Sequence, residues 1–360
     1  MTSEFQVRTA SGVGKLEIST SHGASCHEGD SHTHPDPLRI VVFGGGAGLS
    51  TLLRGLKRFT FEAASSLHIT AVVAVSDDGG SSGRLRRDFE ILAPGDIRNC
   101  MIALAEDENL LSRLFQYRFA NGNGLKGHSF GNLFLTALAD ITGDFHQAVQ
   151  FSSEVLAIRG RIYPSTLANV QLQAELENGD SIVGESKISS AERRIQRLRL
   201  LPRDCDPLPQ TLEAIASSDL IVLGPGSLYT SVIPNLLVNG IPEAIAASRA
   251  IKAYICNLME QRGETSNYTA SDHLRALCSH SGVPIVDHVV VNSERLPPPN
   301  GSNGAQTLKP VEVDQRALEE FGVSVLAEPL AAKDGSLRHD PDCLARAIVG
   351  LAARSALRTA

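Results

Sequence analysis

The sequence predicts an α/β protein built on a mainly parallel sheet, and three observations carry that prediction. Short apolar runs recur, and each ends in glycine or a small polar residue: Arg39 to Phe43 before Gly44, Ile69 to Val75 before Ser76, Asp219 to Leu223 before Gly224. Behind the first of these breaks, Leu49, Leu52, Leu53 and Leu56 fall at helical spacing, as in a helix packed on a sheet. Glycine-rich and polar loops at the carboxyl ends of several strands are where open α/β sheets bind ligands.

Residues 1–37 are rich in Ser, Thr, Gly and His and carry almost no apolar periodicity, which predicts a disordered extension. His22, Cys26, His27, His32 and His34 lie there, but their irregular spacing spells no metal site. The folded domain is expected over residues 38–355. After the strand ending at Val75, Pro94 to Asn99 reads as a loop opening a helix, with Asp96 as its N-cap. Helical patterns run to about residue 156 and include Lys126 to Leu133, a polar turn that opens another helix. Val170 to Leu176 then alternates, Asn178-Gly179 supplies a tight turn, and Ser181 to Ile188 returns, an antiparallel hairpin inserted in the parallel pattern.

Arg193, Arg194, Arg197 and Arg199 read as a solvated helix face, because no aromatic residues interleave them. Strands resume at Asp219 to Leu223, Lys252 to Cys256 and Val286 to Val291. A surface loop spans Leu296 to Gln306, and an amphipathic helix around Cys343 to Leu351 closes the chain.

Composition excludes several classes. The chain has 360 residues, is 42% hydrophobic and 20% charged, and carries a formal net charge of −7. That balance disfavours nucleic acid and acidic membrane surfaces as partners. Six cysteines without a CxxC pair argue against zinc and against a secreted disulfide framework. No apolar run reaches the length of a membrane span, so a cytoplasmic location without membrane insertion is expected.

The loops carry the chemistry. Gly44 to Gly48 fails the dinucleotide fingerprint, because Leu49 or Thr51 falls where its third glycine belongs, and it lacks the Lys-Ser/Thr of a P-loop. Its glycines still let a phosphate approach backbone N–H groups at a helix start. Asp77 and Asp78 are adjacent carboxylates suited to a divalent cation or to ribose hydroxyls. The following Gly79 to Gly83 and Arg84 favour phosphate or sugar contacts, with Asp96 and Arg98 as further members. His128, between Gly127 and Ser129, is either a satisfied structural histidine or a donor to phosphate. Gly226-Ser227 lacks the G-x-S-x-G pattern, so no hydrolase triad is expected.

Five stretches in this order, Gly44 to Gly48, Ser76 to Arg86, Ala93 to Asn99, Gly127 to Leu133 and Gly224 to Ser231, resemble the gluconeogenesis factor (YvcK-like) family. That family is a branch of the 2-phospho-L-lactate transferase (CofD-like) superfamily. The resemblance runs from about Arg39 to about Leu351 and implies a three-layer α/β/α Rossmann-like domain with a mainly parallel sheet and a small antiparallel hairpin insertion. It implies a cytoplasmic UDP-sugar-binding regulator of carbon metabolism, cell shape and peptidoglycan synthesis, with UDP-N-acetylglucosamine as ligand, a protein partner of unknown identity and scope for homo-oligomers.

The alternative is a 2-phospho-L-lactate transferase moving a phospholactyl group from a guanosine diphosphate-linked donor to a deazaflavin alcohol. Ser76-Asp77-Asp78 and Gly224-Pro225-Gly226-Ser227-Leu228 depart from the transferase turns and favour the regulator, which leaves catalysis open. Carried onto this chain, the resemblance implies ligand contacts at Gly44, Gly45, Gly46, Gly48, Asp77, Asp78, Ser81, Ser82, Asn99, His128, Asn132, Gly224, Gly226 and Ser227. Two further matching stretches add Tyr268, a flat face for a uracil or sugar ring, and Arg338, a planar fork for diphosphate oxygens. A magnesium ion on Asp77 and Asp78 is compatible with it, and no redox cofactor is expected.

Overall fold

In the computed structural model the described residues are 4–9, 12–17, 37–60, 67–106, 110–191, 193–296 and 308–359. Within the first 37 residues, β1 (Glu4–Thr9) pairs antiparallel with β2 (Gly12–Glu17). The histidines between positions 22 and 34, and most of the 296–306 loop, lie outside the described residues. The domain proper begins with β3 (Leu38–Gly44), α1 (Gly46–Phe59) and β4 (Leu67–Val73). Five helices follow, α2 (Gly80–Phe89), α3 (Pro94–Leu104), α4 (Leu110–Gln116), α5 (Phe130–Thr142) and α6 (Phe145–Val155), before β5 (Arg161–Pro164).

An inserted unit comprises β6 (Gln171–Leu176), β7 (Ser181–Val183), α7 (Glu185–Ile188) and β8 (Ile195–Leu201). The second half runs through α8 (Pro209–Ser217), β9 (Leu220–Leu223), a π-helical turn (Leu228–Val232), α9 (Ile233–Leu236), α10 (Ile241–Ala247), β10 (Ile251–Ile255) and α11 (Ala270–Ser281). It ends with β11 (His288–Asn292), α12 (Gln315–Glu320), β12 (Ser324–Glu328) and α13 (Pro341–Thr359).

Seven strands form one sheet in the order β12-β11-β10-β9-β3-β4-β5, and every neighbouring pair is parallel. The first three strands fan one way from β3 and the last four fan the other way from β9. The order therefore reverses between β3 and β9, which opens a crevice outside their carboxyl ends. β9 and the inner part of β3 are buried on both faces, as a sheet covered by helices on each side requires. The leucines of α1 are buried against this sheet.

The Asn178-Gly179 hairpin is present, and β6 pairs with both β7 and β8 in a small antiparallel sheet. The sequence reading needs three corrections. The arginine stretch is not a helix face: Arg193 and Arg194 lead into β8, Leu198 and Leu200 within it are buried while Arg197 is exposed, and Arg199 aligns with Gln173 of β6. The return strand stops at Val183, and Glu185–Ile188 coils into α7. Asp96 does not cap α3; Ala93 holds that position and Pro94 opens the helix, which places Asp96 inside the first turn. β5 (Arg161–Pro164) and β12 (Ser324–Glu328) were not foreseen, because neither is a continuous apolar run.

Candidate functional site

Two loops meet at the reversal of strand order. The turn from β3 into α1 packs directly on the loop after β9: a Cβ on Gly48 would lie 2.6 Å from the Pro225 carbonyl oxygen, so only glycine permits this approach. Gly45, Gly46, Ala47 and Gly48 line one wall of a crevice of about 280 Å³, Gly226 and Ser227 another, and Arg338 closes it from the loop before α13. Gln261 lies across it. Its side-chain amide donates to Ser227 Oγ at 2.8 Å and accepts from the Asn257 amide at 3.0 Å.

Next to the crevice, and sharing Gly46, Ser227 and Ser231 with it, is a pocket of about 210 Å³ into which Asp77, Asp96 and Glu185 face. The two form one groove, lined by Arg338 and Glu260 in the crevice and by Asp77, Asp96 and Glu185 in the adjoining pocket. Burial, reinforced by the Asp77 charge, pushes Asp96 up to about 6 against the opposing pull of the Gly46 N–H and Arg98. Burial beside Asp77 and Asp78 pushes Glu185 up to about 7. Both are carboxyl groups poised between neutral and charged near physiological pH.

Asp77 and Asp78, adjacent in sequence, part company here. Asp77 accepts from the Gly79 N–H at 2.9 Å and faces the pocket. Asp78 accepts from both the N–H (2.9 Å) and the Oγ (2.6 Å) of Ser186, tying the loop after β4 to α7 of the inserted unit. Among the described residues, no group of three or more His, Cys, Asp or Glu side chains is placed to hold a metal ion. A cation on this pair would have to share Asp78 Oδ1 with Ser186.

Arg86 fixes the loop from beneath, donating to the carbonyls of Ser76 and Asp77 and, through its other nitrogen, to Asn169 Oδ1 and the Val170 carbonyl. The remaining expected site residues form a layer behind the groove. Ser81 Oγ is 3.0 Å from His128 Nδ1 and accepts from Asn132 at 3.2 Å, and all three residues are buried. Ser82 is buried against Gly95, and Asn99 bonds both Asp96 and Arg98. Gly44 ends β3, its carbonyl accepting from Ala74 N–H, while the Gly224 N–H returns to Phe43 across the sheet.

Arg338 lines the crevice, but Tyr268 does not. It is 5% exposed and lines a separate cleft. Its hydroxyl meets that of Tyr229 at 2.9 Å, and the Arg194 guanidinium covers its ring at 4.5 Å. Sequence reasoning missed Glu185, Asn257 and Gln261. Glu185 is hidden in a stretch that read as strand. Asn257 and Gln261 follow β10 in a polar loop, and of the stretch Gln261 to Tyr268 that matches the family only Tyr268 was carried into the expected site.

An open parallel sheet, reversed in order at two glycine loops and carrying a polar groove there, defines a Rossmann-like α/β class of protein. Within that class the comparisons are specific. Residues 40–331 match the family model described as 2-phospho-L-lactate transferase CofD, and the chain belongs to that family. It is 50% identical over 312 residues to the gluconeogenesis factor of Halalkalibacterium halodurans, covering 86% of this chain and 95% of that protein. It is 47% identical to the gluconeogenesis factor of Bacillus subtilis, covering 87% and 98%. A crystal structure of a Bacillus halodurans protein superposes with a TM-score of 0.83 at 49% identity, covering 87% of this chain and all of that one. Among the described residues, no helix is long and apolar enough to cross a membrane.

Proposed function

We propose that the protein is a cytoplasmic gluconeogenesis factor that binds a UDP-sugar, UDP-N-acetylglucosamine in the first instance, and regulates carbon metabolism, cell shape and peptidoglycan synthesis through a protein partner. The observation that carries this reading is the groove formed by the crevice and its adjoining pocket. A sugar nucleotide has a dianionic bridge flanked by hydroxyl-rich rings. Arg338 and the α1 N-terminus suit the bridge, while Asp77, Asp96 and Glu185 suit the hydroxyls as acceptors. The half-identical relatives named gluconeogenesis factor support the regulatory role.

The test is thermal stabilisation of the purified protein by UDP-N-acetylglucosamine, GTP and NAD side by side, with and without magnesium. A ligand bound only by the folded state raises Tm with concentration. A shift with the UDP-sugar alone is expected. A shift with GTP and magnesium alone would overturn this reading in favour of a phospholactyl transferase.

A further inference from the structure

A second cavity, of about 540 Å³, lies between the segment entering β8 and the turn before α11, and it shares no lining residue with the groove. Arg193 and Arg194 enter it from one side and Arg262 from the other. Arg193 and Arg262 have no ion-pair or hydrogen-bond partner among the described residues. Arg194 lies over the Tyr268 ring and reaches Asp272 at 3.6 Å, but Asp272 divides its charge between Arg194 and Arg275.

The opposing carboxylates are Glu177 and Glu264. Glu264 is turned inward, accepting from Tyr229 N–H at 3.0 Å and Thr230 Oγ at 2.9 Å. A chain of net charge −7 thus concentrates guanidinium groups from two separate segments around one cleft of ligand size. Guanidinium forks on different elements, one of them already oriented by an aromatic face, make a recognition site for phosphate oxygens.

The wall between the two cavities is the segment 261–268. Gln261 bonds Ser227 in the groove while the next residue, Arg262, faces the cleft. Tyr268 in the cleft bonds Tyr229, and Glu264 bonds Thr230, which lines the acidic end of the groove. We propose that the arginine cleft is a second ligand site, for a phosphate-bearing small molecule, and that the 261–268 segment carries its occupancy to the groove. This site stands on its own residues and does not depend on what the groove binds.

The test is calorimetric titration of the full chain with inorganic pyrophosphate at low ionic strength. Binding is expected, weakened about tenfold or more in the Arg193→Ala/Arg262→Ala double variant and far less in Arg338→Ala, which alters the groove and leaves the cleft intact. Absence of binding, or loss in Arg338→Ala with none in the double variant, overturns the proposal. Repeating the titration with UDP-N-acetylglucosamine present is expected to change pyrophosphate affinity without abolishing it. Strict competition would place both anions in one site and also overturn it. If the UDP-sugar itself does not bind, the groove reading fails, and the titrations of the two variants still decide the cleft.

Discussion

The carboxyl group of Asp96 lies against the start of α1, its Oδ2 2.7 Å from the position a Cβ on Gly45 would take. The Gly45 backbone is extended, with φ −173°, so any residue adopts its conformation. What excludes a side chain is the Asp96 contact. Gly45→Ala is therefore expected to cost roughly 1–3 kcal/mol through overpacking and to distort the groove where the first turn of α1 faces it. Urea unfolding of Gly45→Ala, Asp96→Ala and the double variant checks this. The double variant should be more stable than the sum of the two single effects predicts.

The same carboxyl group makes stability depend on pH. Asp96 and Glu185 are raised in the folded protein, to about 6 and about 7, above their ordinary carboxylate values. The folded state thus holds more protons than the unfolded chain between about pH 4 and pH 7, and stability falls as pH rises through that window. His273 and His339, depressed to about 4 by burial, act in the opposite sense and destabilise as pH falls below the ordinary histidine range. A wild-type curve mixes the two, so the comparison of interest is a difference. Asp96→Asn is expected to gain on the order of 1 kcal/mol at pH 8 and nothing at pH 4. An equal gain at both pH values would show that Asp96 is not titrating in this window.

Asp77 and Asp78 are expected to separate by phenotype. Asp77 faces the groove, so Asp77→Asn should weaken UDP-sugar binding while leaving Tm close to wild type. Asp78 bonds only within the protein, and Asp78→Ala removes two hydrogen bonds to Ser186, a loss of about 1–2 kcal/mol. Ligand titration and thermal melts on the two variants read this contrast directly.

Much of the fold was legible because parallel strands buried on both faces leave continuous apolar runs, and Leu220 to Leu223 could be little else. Positions of the glycine loops followed from where those runs break. The pairing of partners across long sequence distances was not legible. Nothing in the spacing of Asp78 and Ser186, 108 residues apart, tells that one caps the other. Nor does the sequence say that Tyr268 turns inward to Tyr229, since burial of a tyrosine depends on whether its hydroxyl finds a partner. Asp96 misled for a related reason: an acidic residue near a helix start suits an N-cap, but with Pro94 already opening the turn its carboxyl was free to reach α1.

The two arginines flanking the groove are expected to fail in different ways. Arg338 is exposed and lines the crevice, so Arg338→Ala should lower UDP-sugar affinity by roughly tenfold or more with Tm unchanged. Arg86 is buried and makes four hydrogen bonds, two to the carbonyls that carry Ser76 and Asp77 and two to Asn169 and Val170. Arg86→Met strands all four acceptors, and a loss of roughly 2–4 kcal/mol follows. Because those carbonyls hold Asp77 in the groove, ligand affinity should fall as well. Arg86→Lys keeps the charge but lacks the planar fork, so it should recover only part of either loss. Melts and UDP-sugar titrations on the three variants separate a residue that touches the ligand from one that holds the loop. Should Arg338→Ala lower Tm as much as Arg86→Met does, the division drawn here between ligand contact and loop support is wrong.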